Sequence, residues 1–188
     1  MPESTLRVLR DNGLRLLLVG YESGNQDILN RVKKGIRLDI AREFTRNAKG
    51  LGIKIHGTFI MGLPGETRET IEETIRFARD IDPDSLQVSL AAPYPGTALY
   101  REALERGWLE RTELVDAGGT QTSVLGYPHL SREEIFASVE RFYRRFYFRP
   151  RKLYGFLKEM ARDFAVCKRR LAEGREFLKF LARRHSSA

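Results

Sequence analysis

The chain has 188 residues, of which 41% are hydrophobic and 31% charged. That is enough for one ordinary domain, or one domain and an appendage, and it is not the composition of a disordered tail. No apolar run approaches the roughly 18 to 20 residues that span a bilayer, the opening MPESTLRVLRDNG lacks a signal peptide's apolar stretch, and the single cysteine, Cys167, excludes a disulfide framework, a structural zinc site or an iron–sulfur site built by this chain alone.

The predicted elements run as follows. Residues 3–12 form a helix closed by Asn12-Gly13. Leu14 to Val19 is an apolar run of strand length, suited to burial on both faces of a parallel sheet. Gly20 to Asn25 is a loop, Gln26 to Lys34 a short helix stopped by Gly35, and Leu38 to Lys49 a second helix with Ile40, Ala41, Phe44 and Ala48 at helical spacing. Ile53 to Met61 is a strand rich in β-branched residues, followed by the tight loop Gly62 to Glu66. Thr67 to Asp80 is a helix, Leu86 to Ala91 a third strand, Pro93 to Gly96 a loop and Thr97 to Arg106 a helix. Residues 112–130, with Gly118-Gly119, read as a linker. Ser131 with Glu134 three residues on is a capping box that opens a basic aromatic helix to Phe148; Pro150 breaks it, and helices follow at about 151–164 and 165–184.

Strands alternating with helices imply right-handed βαβ units and a parallel sheet. Three strands are few for a barrel, and the opening helix reads as the end of a preceding βα unit, so a fragment is expected. The formal net charge of +8 is unevenly placed: residues 131–188 hold 16 of the 33 Lys+Arg and only 7 of the 25 Asp+Glu. Such asymmetry suggests two modules, the second meeting something anionic. A solvated basic helical face is the alternative.

All three loops that follow strands are glycine-rich, and in parallel α/β folds ligands bind beyond the carboxyl ends of the strands. Plain turn chemistry explains any one of them; three together point to a site. Glu22, an acid directly after an apolar strand, suits a ribose diol or an ammonium, or else a salt bridge at the rim. Glu66 is a helix cap or a ligand. Strand parity puts Ile60, Thr58 and His56 on one face with Gly62, and Leu18 and Gly20 with Glu22. Gln87 and Ser89 share a face, with Val88 and Leu90 opposite. His56 is then an interior histidine, hydrogen-bonded or substrate-facing.

Gly20-Tyr21-Glu22-Ser23-Gly24, Ile60-Met61-Gly62-Leu63-Pro64-Gly65-Glu66 and Pro93-Tyr94-Pro95-Gly96-Thr97 together resemble the later strand motifs of radical S-adenosylmethionine (radical SAM) enzymes. The resemblance covers roughly residues 1–110 and is nearest to the cobalamin-binding branch; with its basic tail the whole chain resembles hopanoid-biosynthesis-associated radical SAM proteins. It implies the second half of a partial (β/α)6 TIM-like barrel in residues 1–111, a linker at 112–130 and a helical C-terminal module at 131–188. It also implies SAM contacts at Glu22, Ser23, Ile60, Gly62, Gly65, Ala91 and Pro93, with Tyr21, His56, Thr58 and Tyr94 near the substrate. One departure is Thr58, where the family pattern has glycine. A larger one is the missing CxxxCxxC loop that holds a [4Fe–4S] cluster: this chain supplies no catalytic residue and no metal ligand, and the cluster, and cobalamin if used, lie outside it. In an intact parent, cluster-mediated cleavage of SAM yields a 5′-deoxyadenosyl radical, with electrons from a donor such as flavodoxin or ferredoxin.

The resemblance thus implies a cytoplasmic enzyme of hopanoid modification. The run Arg141 to Arg149 mixes cations with large aromatics, which suits an anionic membrane surface on the inner face, RNA phosphates and bases, or packing of its aromatics on the barrel. The alternatives are a radical SAM methyltransferase or methylthiotransferase acting on another substrate such as tRNA, and a non-catalytic binding module. Exposed strand edges predict poor solubility for the chain in isolation.

Overall fold

The computed structural model describes residues 1–117, 119–161 and 164–186; for residues 164, 165 and 183–186 only the backbone is described. Gly118 of the expected linker therefore lies outside the described residues. The elements run α1 (Glu3–Asp11), β1 (Leu16–Glu22), α2 (Gln26–Arg31), α3 (Leu38–Gly50), β2 (Lys54–Met61), α4 (Arg68–Ile81), β3 (Ser85–Leu90), α5 (Ala98–Glu105), α6 (Arg132–Tyr147), α7 (Pro150–Met160) and α8 (Phe164–Ser186).

The three strands form one parallel sheet in the order β1–β2–β3. Along β2, Ile55, Gly57, Phe59 and Met61 are buried, while His56, Thr58 and Ile60 are only half-buried. The first set lies under the helices; the second lines an open face, as strand alternation requires. On β3, Leu86, Val88 and Leu90 are buried, Ser89 is half-buried and Gln87 exposed, again as the parity predicts.

β1 begins two residues later than its apolar run and ends three residues further on. The N–H of Leu14 closes the C-terminal turn of α1 by donating to Leu9 at 2.9 Å, so Leu14 is spent on the helix. At the other end the register slips: Gly20 faces Thr58 and Glu22 faces Phe59, leaving Tyr21 as an extra residue in a bulge. Tyr21 is consequently buried on the helix side, not near a substrate. Its ring stacks on Phe59 with centroids 5.5 Å apart and meets Phe77 edge-on. Gly57 makes this possible, since a Cβ there would sit 3.1 Å from the Tyr21 ring.

The expected linker is packed. Val124, Leu125, Tyr127 and Leu130 are buried, and isolated antiparallel bridges join Leu109 to Leu125 and Tyr127 to Leu130. Gln121 from this segment closes the outer edge of β3: its Oε1 accepts from Leu90 N at 3.0 Å and its Nε2 donates to Leu90 O at 2.9 Å. Further down the same edge, Val88 N donates to the Tyr143 hydroxyl and Leu86 N to that of Tyr147, both at 3.0 Å. Only the β1 edge is open among the described residues, so half of the edge exposure expected from three strands is absent.

The basic aromatic helix packs inward. The capping box of Ser131 and Glu134 forms as expected, and Phe142, Tyr143 and Phe146 of α6 are buried against the sheet. Two of its cations turn to an acid on α4: Arg141 and Arg145 both pair with Glu72. Beyond Pro150, the tail is latched by Asp82, a left-handed C-cap of α4 with φ of 47°. Its carboxylate meets Arg149 at 2.8 Å, Lys152 at 3.1 Å and Lys49 at 3.5 Å. Burial by itself would raise the Asp82 carboxyl, but Lys152, Lys49 and Arg149 outweigh it and hold it below its ordinary value.

Asp82→Asn tests this latch. Asparagine tolerates the left-handed backbone, so the variant removes charge and leaves two largely buried cations uncompensated. A stability loss of roughly 2–3 kcal/mol is expected by urea denaturation. A loss below about 0.5 kcal/mol would show an exposed-type pair with no latching role.

Candidate functional site

The carboxyl ends of the three strands meet at one rim. At the end of β1, Glu22 adopts φ of 62°, a costly backbone for a non-glycine residue. That conformation folds its carboxylate back over Gly20, where a Cβ would sit 2.5 Å from Glu22 Oε1. Lys34 Nζ lies 2.7 Å from the same oxygen. Lys34 arrives there because Lys33 takes a left-handed conformation just after α2 and Lys34 N closes the turn onto Leu29 O at 3.0 Å. Glu22 and Lys34 thus place one carboxylate and one ammonium side by side at the rim. The sequence reading missed Lys34; a cation 12 positions after an acid becomes a neighbour only through that turn.

Ser23 differs from expectation. It is fully buried, with its Oγ 3.2 Å from Thr74 Oγ1 and accepting from Asn25 N at 3.2 Å. It anchors the loop on α4 instead of facing the rim.

The loop after β2 is locked by its own acid. Glu66 is fully buried, and its Oε2 accepts from Gly62 N at 2.6 Å and Leu63 N at 3.0 Å. The cap of α4 is Thr67 in a reciprocal box with Thr70, so the expectation that Glu66 caps this helix is corrected. Gly62 is held on all sides: its O accepts from the Tyr127 hydroxyl at 2.8 Å, and a Cβ would strike Ile135 of α6 at 2.8 Å. Gly65 has φ of 86° and packs against Arg31. His129 Nε2 donates to Glu66 O at 2.9 Å. These glycines therefore shape the rim by backbone and packing, while Ile60 presents its side chain to the open face. Neither Tyr127 nor His129 carried a sequence signal; both lie in the segment read as a linker.

At the end of β3, Ala91 and Pro93 are buried, and Ala91 N continues the ladder to Met61 O at 2.8 Å. Tyr94 stands exposed in the following loop. Deeper on the open face, His56 Nδ1 lies 2.7 Å from Ser85 Oγ, so this histidine has a structural partner. Thr58 is half-buried beside it.

Burial dominates the chemistry of Glu66. It pushes the carboxyl up to about 8 against the lowering pull of the Gly62 and Leu63 amides. Its Oε1 has no hydrogen-bond partner. The Tyr127 hydroxyl is raised as well, first by burial and then by nearby Glu66 and Glu102.

Residues 1–78 match the family model of the Radical SAM superfamily. Over 80% of its length the chain is 33% identical to an uncharacterized methyltransferase of Pyrococcus horikoshii, of which it covers 33%. It is 27% identical to a cytidylyl-2-hydroxyethylphosphonate methyltransferase of Streptomyces wedmorensis, over 82% of this chain and 30% of that one. It is 30% identical to an anaerobic magnesium-protoporphyrin IX monomethyl ester cyclase of Rubrivivax gelatinosus, over 85% and 28%. Coproporphyrinogen III oxidase of Escherichia coli, a radical SAM enzyme, superposes with a TM-score of 0.56 at 20% identity, over 76% of this chain and 29% of that one, and so shares the fold. The match to that superfamily's model thus covers residues 1–78, and the fold is shared with a radical SAM enzyme. The chain spans about a third of the length of these curated relatives.

That superfamily implies SAM and a [4Fe–4S] cluster. The cluster does not fit this chain: Cys167, half-buried on α8, is its single thiol, and no group of three or more His, Cys, Asp or Glu among the described residues could hold a metal. SAM does fit, because the cradle over Gly20 holds the paired charges that an amino-acid zwitterion needs.

Glu66 yields a test with a definite sign. Between its ordinary value of 4.5 and about 8 the folded chain binds a proton that the unfolded chain has lost. Stability therefore falls as pH rises through that window and levels off above it. Relative to Glu66→Gln, the wild-type chain should lose stability between pH 5 and pH 8.5 in urea titrations. Parallel pH profiles for the two proteins would contradict a buried, protonated Glu66.

Proposed function

We propose that this chain is the SAM-binding half of a radical SAM enzyme that transfers a methyl or methylthio group. The observation that carries the reading is the Glu22–Lys34 pair, held at 2.7 Å at the rim shared by three parallel strands. Glu22 can accept from an ammonium or a ribose diol, and Lys34 can bind a carboxylate. Ile60, half-buried at the same rim, offers apolar surface to an adenine ring, and the backbone of Ala91 to Pro93 borders it. Thr58 and His56 lie further down the open face, on the substrate's side. SAM, when bound, supplies the transferable methyl or the 5′-deoxyadenosyl group.

The relatives' names support this reading over hopanoid modification: two of those above are methyltransferases, and a putative methylthiotransferase of Methanocaldococcus jannaschii is 33% identical over 52% of this chain and 22% of that one. None of these names mentions a hopanoid. The cluster ligands, cobalamin and an electron donor such as flavodoxin or ferredoxin belong to the proposal as contributions from outside this chain. The membrane contact expected of residues 141–149 loses its basis, since Phe142, Tyr143 and Phe146 are buried and Arg141, Arg145 and Arg149 are paired. No helix among the described residues is long and apolar enough to cross a membrane.

Glu22→Ala and Lys34→Ala should each weaken SAM binding by about tenfold in calorimetric titrations. Leu104→Ala, on the exposed side of α5, should leave it unchanged. Unaltered affinity in both rim variants would overturn the assignment.

A further inference from the structure

We propose that a cleft on the helical side of the sheet is a binding site for a ligand bearing two adjacent phosphate groups. The inference stands apart from the radical SAM reading, because neither Glu22 nor Lys34 lines the cleft; Gly24, from the loop after β1, is the nearest approach of the two sites in sequence. It is an open cleft of about 530 Å³ between α3, α4 and the start of α7, and its lining includes four arginines, Arg42, Arg76, Arg79 and Arg149.

The acids in the cleft are already engaged. Glu73 accepts from Asn25 Nδ2 at 2.5 Å, and Asp80 meets Arg42 at 3.3 Å. Two of the arginines are fixed in place. The Arg42 guanidinium lies 4.7 Å from the centre of the Phe77 ring. Arg149 lies 4.5 Å from that of Phe146, is paired with Asp82 and donates to Arg79 O at 2.9 Å.

Arg76 and Arg79 are different. Three residues apart on α4, they share a helix face. Both are exposed, and neither side chain has a hydrogen-bond or ion-pair partner among the described residues. Proximity to the C-terminus of α4 favours a cation at Arg79, but it does not account for Arg76 or for the two arginines opposite. Two preset and two uncommitted guanidiniums around one concavity give an excess of positive charge at short range. Guanidinium binds phosphate in a bidentate fork. The cleft is too large for one phosphate and has room for a diphosphate with an organic group attached.

Inorganic pyrophosphate is the probe. Titrated calorimetrically into the full chain, it should bind saturably at one site and more tightly than orthophosphate. Arg76→Ala/Arg79→Ala should weaken it at least about tenfold, the loss of one or two charge-assisted hydrogen bonds. Arg76→Lys/Arg79→Lys, which keeps charge and removes the fork, should fall between. The charge-matched control Lys168→Ala/Arg175→Ala on α8 should bind as the wild type does. The proposal is overturned by non-saturable binding, by orthophosphate binding equally well, or by an equal loss in the control. All substitutions are at exposed positions, so folding is preserved and each outcome can be read.

Discussion

β2 is hydrogen-bonded on both sides, and its period of two decides what each neighbouring element can do. Ile55, Phe59 and Met61 must be covered, so α3, α4 and α6 collect on one side. His56, Thr58 and Ile60 point the other way, to the face the helices leave open. The bulge at Tyr21 follows from the same constraint. It lets an aromatic ring stay under the helices while Glu22 still reaches the open face, at the cost of a left-handed backbone on a non-glycine residue.

Two acids, buried Glu66 and half-buried Asp82, then fix the layers relative to each other. Glu66 gathers the amides of the loop after β2, and the 108–130 segment closes over it through Tyr127 and His129. Asp82 gathers Lys49, Arg149 and Lys152, and so ties α3, α4 and the helical tail together. The two differ in electrostatic character. Asp82 has cations enough to stay ionised, whereas Glu66 has only backbone donors and holds its proton. The positive charge of the tail is thus partly consumed in docking it: Glu72 takes Arg141 and Arg145, and Asp82 takes Arg149.

Much of the fold was legible because local signals agreed. Alternating burial along β2, the Ser131–Glu134 box and the break at Pro150 each depend on residues close in sequence. The glycine loops and Glu22 fall at one rim, as their places after the strands foretold, for the same reason. What could not be read depends on distant partners. Nothing near Ser23 announces that Thr74 will bury it, and nothing near Lys34 announces Glu22. Residues 112–130 look like a linker because Gly118-Gly119 and a mix of Thr, Ser, Gly and Pro break any periodicity, yet Val124, Leu125, Tyr127 and Leu130 among them pack into the core. The aromatic tail has a composition that suits a membrane, RNA or core surface. Only its registry against the β3 edge, with Tyr143 and Tyr147 satisfying strand amides, decides for the core.

The most direct test of the site is a ¹H–¹⁵N NMR titration of the chain with SAM. Saturable shifts are expected at residues 20–25, at Lys34, at residues 58–62 and at Ala91 and Ala92, with none at Arg76 or Arg79. No saturable shift, or shifts confined to the helical side of the sheet, would contradict a SAM site at the strand ends.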